Sequence, residues 1–121
     1  MSATYAQRRA LGAYGERLAV RALESAGLEI LDRNWRCSQG EIDIVAGSSG
    51  LVVVCEVKTR RGDRYGTPVE AITPVKAERL YRLGAAWSRA HGRGGLRLRI
   101  DVVSVELSRQ GRRVEHLVGV S

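Results

Sequence analysis

The sequence predicts an α/β fold in which a mixed central β-sheet is flanked by helices, in the order αβββαβ followed by a final strand. In two segments the apolar residues recur at three- and four-residue steps, which is typical of amphipathic helices. Elsewhere they alternate with polar residues or form short β-branched runs bounded by turn residues, which is typical of strands. Helices and strands that follow one another in this way favour a sheet covered by helices.

The first half of the chain is predicted to form one helix and three strands. The helix runs from Tyr5 to Ala26, and Gly27 provides its C-terminal cap. The second and third strands flank a Gly-Ser-Ser-Gly turn, and turn glycines between β-branched runs predict a hairpin. The expected strands are residues 28–36, 41–46 and 51–59.

The second half is predicted to form a helix and two strands, after a polar loop at residues 60–68. Thr73 is a good N-cap, Pro74 suits the first helical position, and Gly92 ends the helix. Strand periodicity follows from Leu96 to Val102, where apolar residues alternate with charged ones. The final strand is expected at residues 113–118.

Length and charge narrow the classes of function. The 121 residues fit a single domain, residues 1–121. A net charge of +7 indicates a polyanionic partner, of which nucleic acid is the commonest. No apolar run is long enough to span a bilayer, and Met1 to Ala10 has no apolar core of a signal peptide. We therefore expect a cytoplasmic, nucleoid-associated protein with no membrane partner.

The rare residues also carry information. Cys37 and Cys55 form no CxxC pair, so reduced thiols are expected and zinc is not. Of the twenty basic residues only Lys58 and Lys76 are lysine. A lysine is a compact point charge whose pKa can shift, whereas arginine is a planar fork that stays charged. Two positions that remain lysine in an arginine-rich chain are a hint that they need an ammonium group.

The hairpin groups several charged residues. If Gly47 faces Gly50, Glu41 faces Glu56, and Asp43 faces Val54. Asp43 and Glu56 then become diagonal neighbours, roughly 7–8 Å apart at the backbone. One face is expected to hold Ile42, Ile44, Val53, Cys55 and Val57, and the other Glu41, Asp43, Glu56 and Lys58 beside Val45, Val52 and Val54.

Clustered carboxylates of this kind suit a metal-dependent reaction. Like charges on adjacent strands are destabilising unless a cation compensates them, and Mg²⁺ favours carboxylate oxygens. Carboxylates that hold a metal, with a lysine beside them, are what phosphodiester cleavage requires. The alternative is a solvated strand face, but a helix-covered sheet would bury this face, and burying unpaired carboxylates is costly.

Longer motifs resemble a known family over nearly the whole chain. They resemble the YraN family of uncharacterised bacterial proteins, which is itself similar to the archaeal Holliday-junction resolvases and other PD-(D/E)xK nucleases. Ile42 stands where the superfamily has a proline before its first acid, as is usual in this branch. The runs are Gly15-Glu16-x-x-Ala19, Arg33-Asn34-Trp35-Arg36, Gly40-Glu41-Ile42-Asp43-Ile44-Val45, Glu56-Val57-Lys58-Thr59-Arg60, Tyr65-Gly66, Ala71-Ile72-Thr73-Pro74, Lys76 and Ile100-Asp101-Val102-Val103.

The resemblance implies a restriction-endonuclease-like (PD-(D/E)xK) core and a Mg²⁺ or Mn²⁺ cofactor. Its catalytic motif falls on Glu16, Asp43, Glu56 and Lys58. Asp43 and Glu56 are the implied metal ligands, together with the backbone carbonyl of Val57. Lys58 is the implied catalytic lysine, and Glu16 matches the extra acid of the resolvase-like branch.

Basic residues around this motif are candidates for binding nucleic acid. The loop after the motif is suited to positioning a DNA backbone. Lys76 starts a helix, where phosphate is favoured, although an exposed helix-start lysine explains it equally well. Glu41 is either a further ligand or the partner of an arginine. The predicted contacts are Arg36, Arg60, Arg61, Arg64 and Lys76.

The leading hypothesis is therefore a metal-dependent DNA endonuclease, structure-selective and acting on branched or damaged DNA in repair or recombination. The rival is a nucleic-acid-binding module on a nuclease fold whose activity is vestigial or needs a partner. A scaffold protein is the weakest reading, because it explains neither the acids nor the basic charge. The oligomeric state is left open, with a homodimer as one alternative.

Overall fold

The computed structural model describes residues 4–62 and 72–120, and its elements follow the predicted order. The capping predicted at Thr73 and Pro74 is confirmed, since the Thr73 side chain accepts from the Lys76 amide at the start of the helix. The fourth strand ends later than expected, at Ser108, and the fifth begins earlier, at Gly111. The elements are α1 (Tyr5–Ser25), β1 (Glu29–Cys37), β2 (Gly40–Ser48), β3 (Leu51–Arg61), α2 (Pro74–Ala90), β4 (Arg97–Ser108) and β5 (Gly111–Leu117).

The five strands form one mixed sheet in the order β1-β2-β3-β4-β5. Neighbouring strands are antiparallel except β3 and β4, which are parallel from Leu51↔Arg97 to Arg61↔Leu107. Parallel neighbours need a long crossover, and α2 lies within the connection between them. The α/β class with a mixed sheet is therefore confirmed.

Each helix covers one face of the sheet and closes its own apolar core. Leu18, Ala19 and Leu23 of α1 pack on alternate residues of β2, β3 and β4. Leu80, Leu83 and Trp87 of α2 pack on the opposite face. Cys55 is buried in the first core, and neither cysteine forms a disulfide. No helix in the described part of the chain is long and apolar enough to cross a membrane.

The β2–β3 hairpin has a different register from the predicted one. Ser48 pairs with Leu51, so the turn consists of Ser49 and Gly50. Gly50 has φ +73°, a conformation that favours glycine and belongs in the turn itself. Gly47 lies in the strand instead, where an added Cβ would come within 2.8 Å of the Leu51 carbonyl oxygen. The partner of each residue is thus two positions later than predicted, and this shift changes which acids face one another.

The predicted face of β2 is also wrong at Ile42. Ile42 was expected beside Ile44, but it packs in the core under α2, whereas Ile44 packs in the core under α1. Alternation is interrupted between them, where Asn34 of β1 lies opposite Asp43. Asn34 has φ +53° and is the one non-glycine residue with positive φ in the described chain. Asparagine tolerates this left-handed conformation better than most residues.

Candidate active site

The candidate site lies where β2 and β3 separate. Their ladder runs from Ser48↔Leu51 only as far as Ile44↔Cys55. Beyond that pair, β2 remains paired with β1 and β3 remains paired with β4. The sheet therefore splits into two parts, and the split opens a gap beside the backbone of β3.

Asp43 of β2 lies in this gap and is hydrogen-bonded to the backbone of β3 across it. Its Oδ2 accepts a hydrogen bond of 2.8 Å from the backbone N–H of Val57. The observed register, continued by one residue, places Asp43 directly opposite Glu56 rather than diagonal to it. The carboxyl groups of Asp43 and Glu56 are within hydrogen-bonding reach of one another. The expectation that Asp43 and Glu56 lie together is confirmed, but their predicted facing partners are wrong.

Crowding and burial change the proton affinity of Asp43. Burial raises the pKa of its carboxyl, the Val57 N–H lowers it, and the nearby charges of Glu56 and Glu41 raise it again. The result is a pKa of about 7, compared with an ordinary value of 3.8. A carboxyl of this kind is easily neutralised by a proton or by a cation.

Both lysines of the chain interact with Glu56, one by direct contact and one through its charge. The Lys76 ammonium forms an ion pair with Glu56 Oε2, and the side chains are 22% and 16% exposed. Lys58, two residues further along β3, acts on Glu56 through its charge. Burial alone raises the pKa of Glu56, but the hydrogen bonds that it accepts from Lys76 and from the Asp43 carboxyl outweigh burial, so that the pKa is lowered. Glu56 is therefore the carboxylate that stays ionised.

The two ammonium groups lie next to each other and differ in proton affinity. Burial lowers the pKa of Lys58, and the adjacent Lys76 ammonium lowers it further. For Lys76 the effect of burial is outweighed by its hydrogen bond to Glu56, so its pKa is raised. Lys58 is consequently the more readily deprotonated of the two.

The acids reach the gap from different faces of the sheet. Glu56 and Lys58 follow Val52 and Val54 in the alternation of β3, on the face that α2 covers. Asp43 instead lines a cleft of about 350 Å³ on the α1 face. The prediction that all three project from one face is therefore wrong. They come together because β2 and β3 are unpaired beyond Ile44 and Cys55, so the Asp43 side chain contacts Glu56 through the gap.

Helix α1 brings Glu16 to the same cleft. Glu16 Oε1 accepts hydrogen bonds of 3.0 Å from Arg33 Nε and 3.0 Å from Asn34 Nδ2. Gly15 permits this placement, because a Cβ there would lie 1.9 Å from Thr59 Oγ1. The preceding glycine thus lets α1 approach β3 closely enough to set Glu16 in the cleft wall.

The other predicted basic residues lie around the site with different partners. Arg36 forms an ion pair with Glu41, at 3.0 Å between Nε and Oε2, so Glu41 holds an arginine. Arg60 is half-buried and Arg61 is exposed at the end of β3. Arg64 lies outside the described residues. Lys76, for which a phosphate contact is predicted, forms an ion pair with Glu56.

The donor set suits a hard cation. Within residues 4–62 and 72–120, no three His, Cys, Asp or Glu side chains are placed to hold one metal ion. Asp43 and Glu56 are a pair of adjacent carboxylates. Mg²⁺ is usually held by one or two carboxylates and keeps several waters. The pair therefore fits Mg²⁺ or Mn²⁺ and offers no set of ligands typical of structural zinc.

Three residues of α1 that line the cleft were not predicted as site residues. Arg8, Leu11 and Gly12 of α1 line it together with Glu16 and Asp43. In the sequence they lie on a helix about thirty residues before Asp43, and no local pattern connects them to it. Only the packing of α1 on β3 brings them to the site.

Comparisons with known proteins give one consistent result. The model of "Uncharacterised protein family UPF0102" matches residues 15–105, which include every described acid and lysine of the site. A UPF0102 protein of Kineococcus radiotolerans is 54% identical over 114 residues, covering 93% of each chain. One from Streptomyces coelicolor is 53% identical and covers 94% of this chain and 90% of its own. One from Nocardioides sp. is 48% identical, with 98% and 97% covered.

Proposed function

The chain belongs to the uncharacterised protein family UPF0102, also called YraN, and we propose that it is a Mg²⁺- or Mn²⁺-dependent DNA endonuclease built on a PD-(D/E)xK core. One observation carries the proposal. Asp43 and Glu56 lie in contact beside Lys58, in a gap between diverging strands. A partly buried pair of acids with a lysine is costly for folding, and function is the common reason to retain it.

Asp43 and Glu56 would hold the cation, with the backbone carbonyl of Val57 as a third donor. The Val57 N–H already fixes Asp43 Oδ2, so the carboxylate is oriented before any cation binds. When bound, a divalent ion supplies charge neutralisation at a phosphate and makes water a better nucleophile near neutral pH. Asp43 would be fully ionised when it holds the cation.

Lys58 is assigned to the reacting phosphate rather than to the metal. Its ammonium lies beside the carboxylates, where it can orient the attacking water or stabilise charge that develops on the phosphate oxygens. Its lowered pKa makes proton exchange with water easier than for an ordinary lysine. Glu16, which lines the same cleft as Asp43, is proposed as a further catalytic acid.

The substrate proposed is DNA, bound largely through its phosphates. The net charge of +7 provides the attraction, and Arg60 and Arg61 lie on β3 just beyond Lys58 and Thr59. Arg36 and Arg64 are further proposed contacts, the second on sequence grounds alone. Such an enzyme would act on branched or damaged DNA in the cytoplasm, at the nucleoid.

A second candidate is a DNA-binding module without nuclease activity. The ion pair between Lys76 and Glu56 favours it, because an ammonium group already compensates one of the two acids. Metal binding separates the two candidates, since a module whose acids are satisfied internally has no use for a divalent cation.

A cleavage assay tests the proposal. Purified protein would be incubated with Mg²⁺ or Mn²⁺ and a panel of linear, nicked, flapped and four-way-junction DNAs. We expect metal-dependent cleavage of at least one branched substrate by the parent protein. Asp43→Asn, which can still accept from the Val57 N–H, should be inactive. Equal cleavage by parent and Asp43→Asn would mean that a contaminant is responsible, and no cleavage of any DNA would support the binding module.

A further inference from the structure

We propose that the Lys76 ammonium occupies the place of the divalent cation in the metal-free protein, and that cation binding transfers it to a phosphate of the substrate. The inference rests on the proposed function and concerns how its metal and its substrate become coupled. Lys76 would thus be a positioning residue that makes tight metal binding conditional on bound nucleic acid.

The contacts at Glu56 are the basis of the proposal. The Lys76 side chain is only 22% exposed, unlike a typical surface lysine, and its ammonium contacts Glu56 Oε2. That oxygen belongs to one of the two carboxylates proposed as metal ligands. A cation shared by Asp43 and Glu56 would therefore compete with Lys76 for the same acceptor.

The charges of the site point in the same direction. When both are ionised, Asp43 and Glu56 are balanced by Lys58 and Lys76, so the metal-free cluster is already neutral. A divalent cation adds two positive charges to a partly buried site, which is unfavourable unless an anion enters as well. A phosphate group is such an anion, and metal and nucleic acid should therefore increase each other's affinity.

The location of Lys76 makes its transfer possible. It lies in the first turn of α2, and its backbone N–H is bonded to the Thr73 side chain independently of its own side chain. The flexible stem of a lysine can move its ammonium without moving the helix. The N-terminal end of a helix also favours an incoming anion.

Calorimetric titration with Mn²⁺ tests the inference. The full-length protein would be titrated alone and in the presence of a short phosphorothioate duplex that resists cleavage. Lys76→Gln removes the competing charge and keeps the helix cap. We expect it to bind Mn²⁺ alone about tenfold more tightly than the parent, equivalent to about 1.4 kcal/mol. The increase in Mn²⁺ affinity caused by the duplex should be smaller in Lys76→Gln than in the parent.

Two control variants define the outcomes. Arg82→Gln removes an exposed cation from the same helix and should bind Mn²⁺ as the parent does. Lys76→Arg keeps the charge and should also remain close to the parent. If Lys76→Gln matches the parent with and without duplex, the inference is overturned while the metal site stands. If neither protein binds Mn²⁺ under any condition, the proposed function fails and the inference fails with it.

Discussion

Neutralising Asp43 should stabilise the metal-free protein at alkaline pH. The pKa of this carboxyl rises from 3.8 to about 7 on folding. Because each unit of difference corresponds to about 1.4 kcal/mol, ionised Asp43 costs the folded state about 4 kcal/mol. The group binds its proton more tightly when folded, so the contribution of Asp43 to stability is largest below pH 4 and is lost as the pH rises through about 7.

Asp43→Asn removes the charge and retains an acceptor for the Val57 N–H. We expect its free energy of unfolding to exceed that of the parent by about 2–4 kcal/mol at pH 8 and to match it at pH 4. Glu56 responds to pH in both proteins, with stability lost as the pH falls through its lowered pKa. Because the two carboxyls interact, the difference between variant and parent reports the Asp43–Glu56 pair and not the remaining acids of the protein.

Urea denaturation over a pH series, with a chelator present, measures this difference. Glu24→Gln provides the matched control, because it removes an exposed carboxylate from α1 and should leave the free energy of unfolding close to that of the parent. Mg²⁺ at pH 8 should then stabilise the parent and leave Asp43→Asn unchanged. The reasoning is refuted if Asp43→Asn and the parent differ equally at pH 4 and pH 8.

Three further predictions concern packing, chemistry and binding. Gly15→Ala should lower the free energy of unfolding by about 1–3 kcal/mol through overpacking, whereas Gly12→Ala, with no atom within 4 Å of its new Cβ, should raise stability slightly; equal thermal melts would contradict this. Lys58→Ala should keep Mn²⁺ binding in calorimetry and lose cleavage, and retained turnover would exclude its catalytic role. DNA affinity, followed by fluorescence anisotropy, should fall linearly in log K against log salt, with a shallower slope after Arg60→Ala and Arg61→Ala; an unchanged slope would remove these two arginines from the interface.

The secondary structure could be predicted largely from local patterns. Helix α2 begins where Thr73 and Pro74 place it, since capping depends on residues adjacent in sequence. The order of elements follows from hydrophobic periodicity for the same reason. The extension of β4 to Ser108 was missed, because residues 102–105 are buried on both faces and do not alternate with polar ones.

The hairpin register could not be predicted with the same accuracy. Gly47 and Gly50 are both plausible turn residues, and the sequence does not distinguish the one with positive φ from the one that is closely packed. A register with Gly47 opposite Gly50 places Asp43 opposite Val54, whereas the observed register places it opposite Glu56. A register change of two positions keeps each side chain on its face of the hairpin, so the hydrophobic pattern does not reveal the error.

Contacts between distant segments were the hardest part of the site to foresee. The two lysines were singled out by the scarcity of lysine, but their meeting at Glu56 depends on how α2 packs on β3. In the same way, Asn34 and Arg33 were part of a recognisable motif, yet their hydrogen bonds to Glu16 require α1 to cross the sheet near them. Tertiary packing decides such contacts, and local sequence does not encode it.

Mn²⁺ titration by calorimetry of the parent, Asp43→Ala and Glu56→Ala is the most direct test of the proposed metal site. The parent should bind the ion, and each variant should lose that binding because each lacks one carboxylate of the pair. Glu41→Ala, whose carboxylate forms an ion pair with Arg36, should still bind Mn²⁺. If Asp43→Ala and Glu56→Ala both bind Mn²⁺ with the affinity of the parent, the assignment of the metal site is wrong, and the proposed nuclease mechanism is wrong with it.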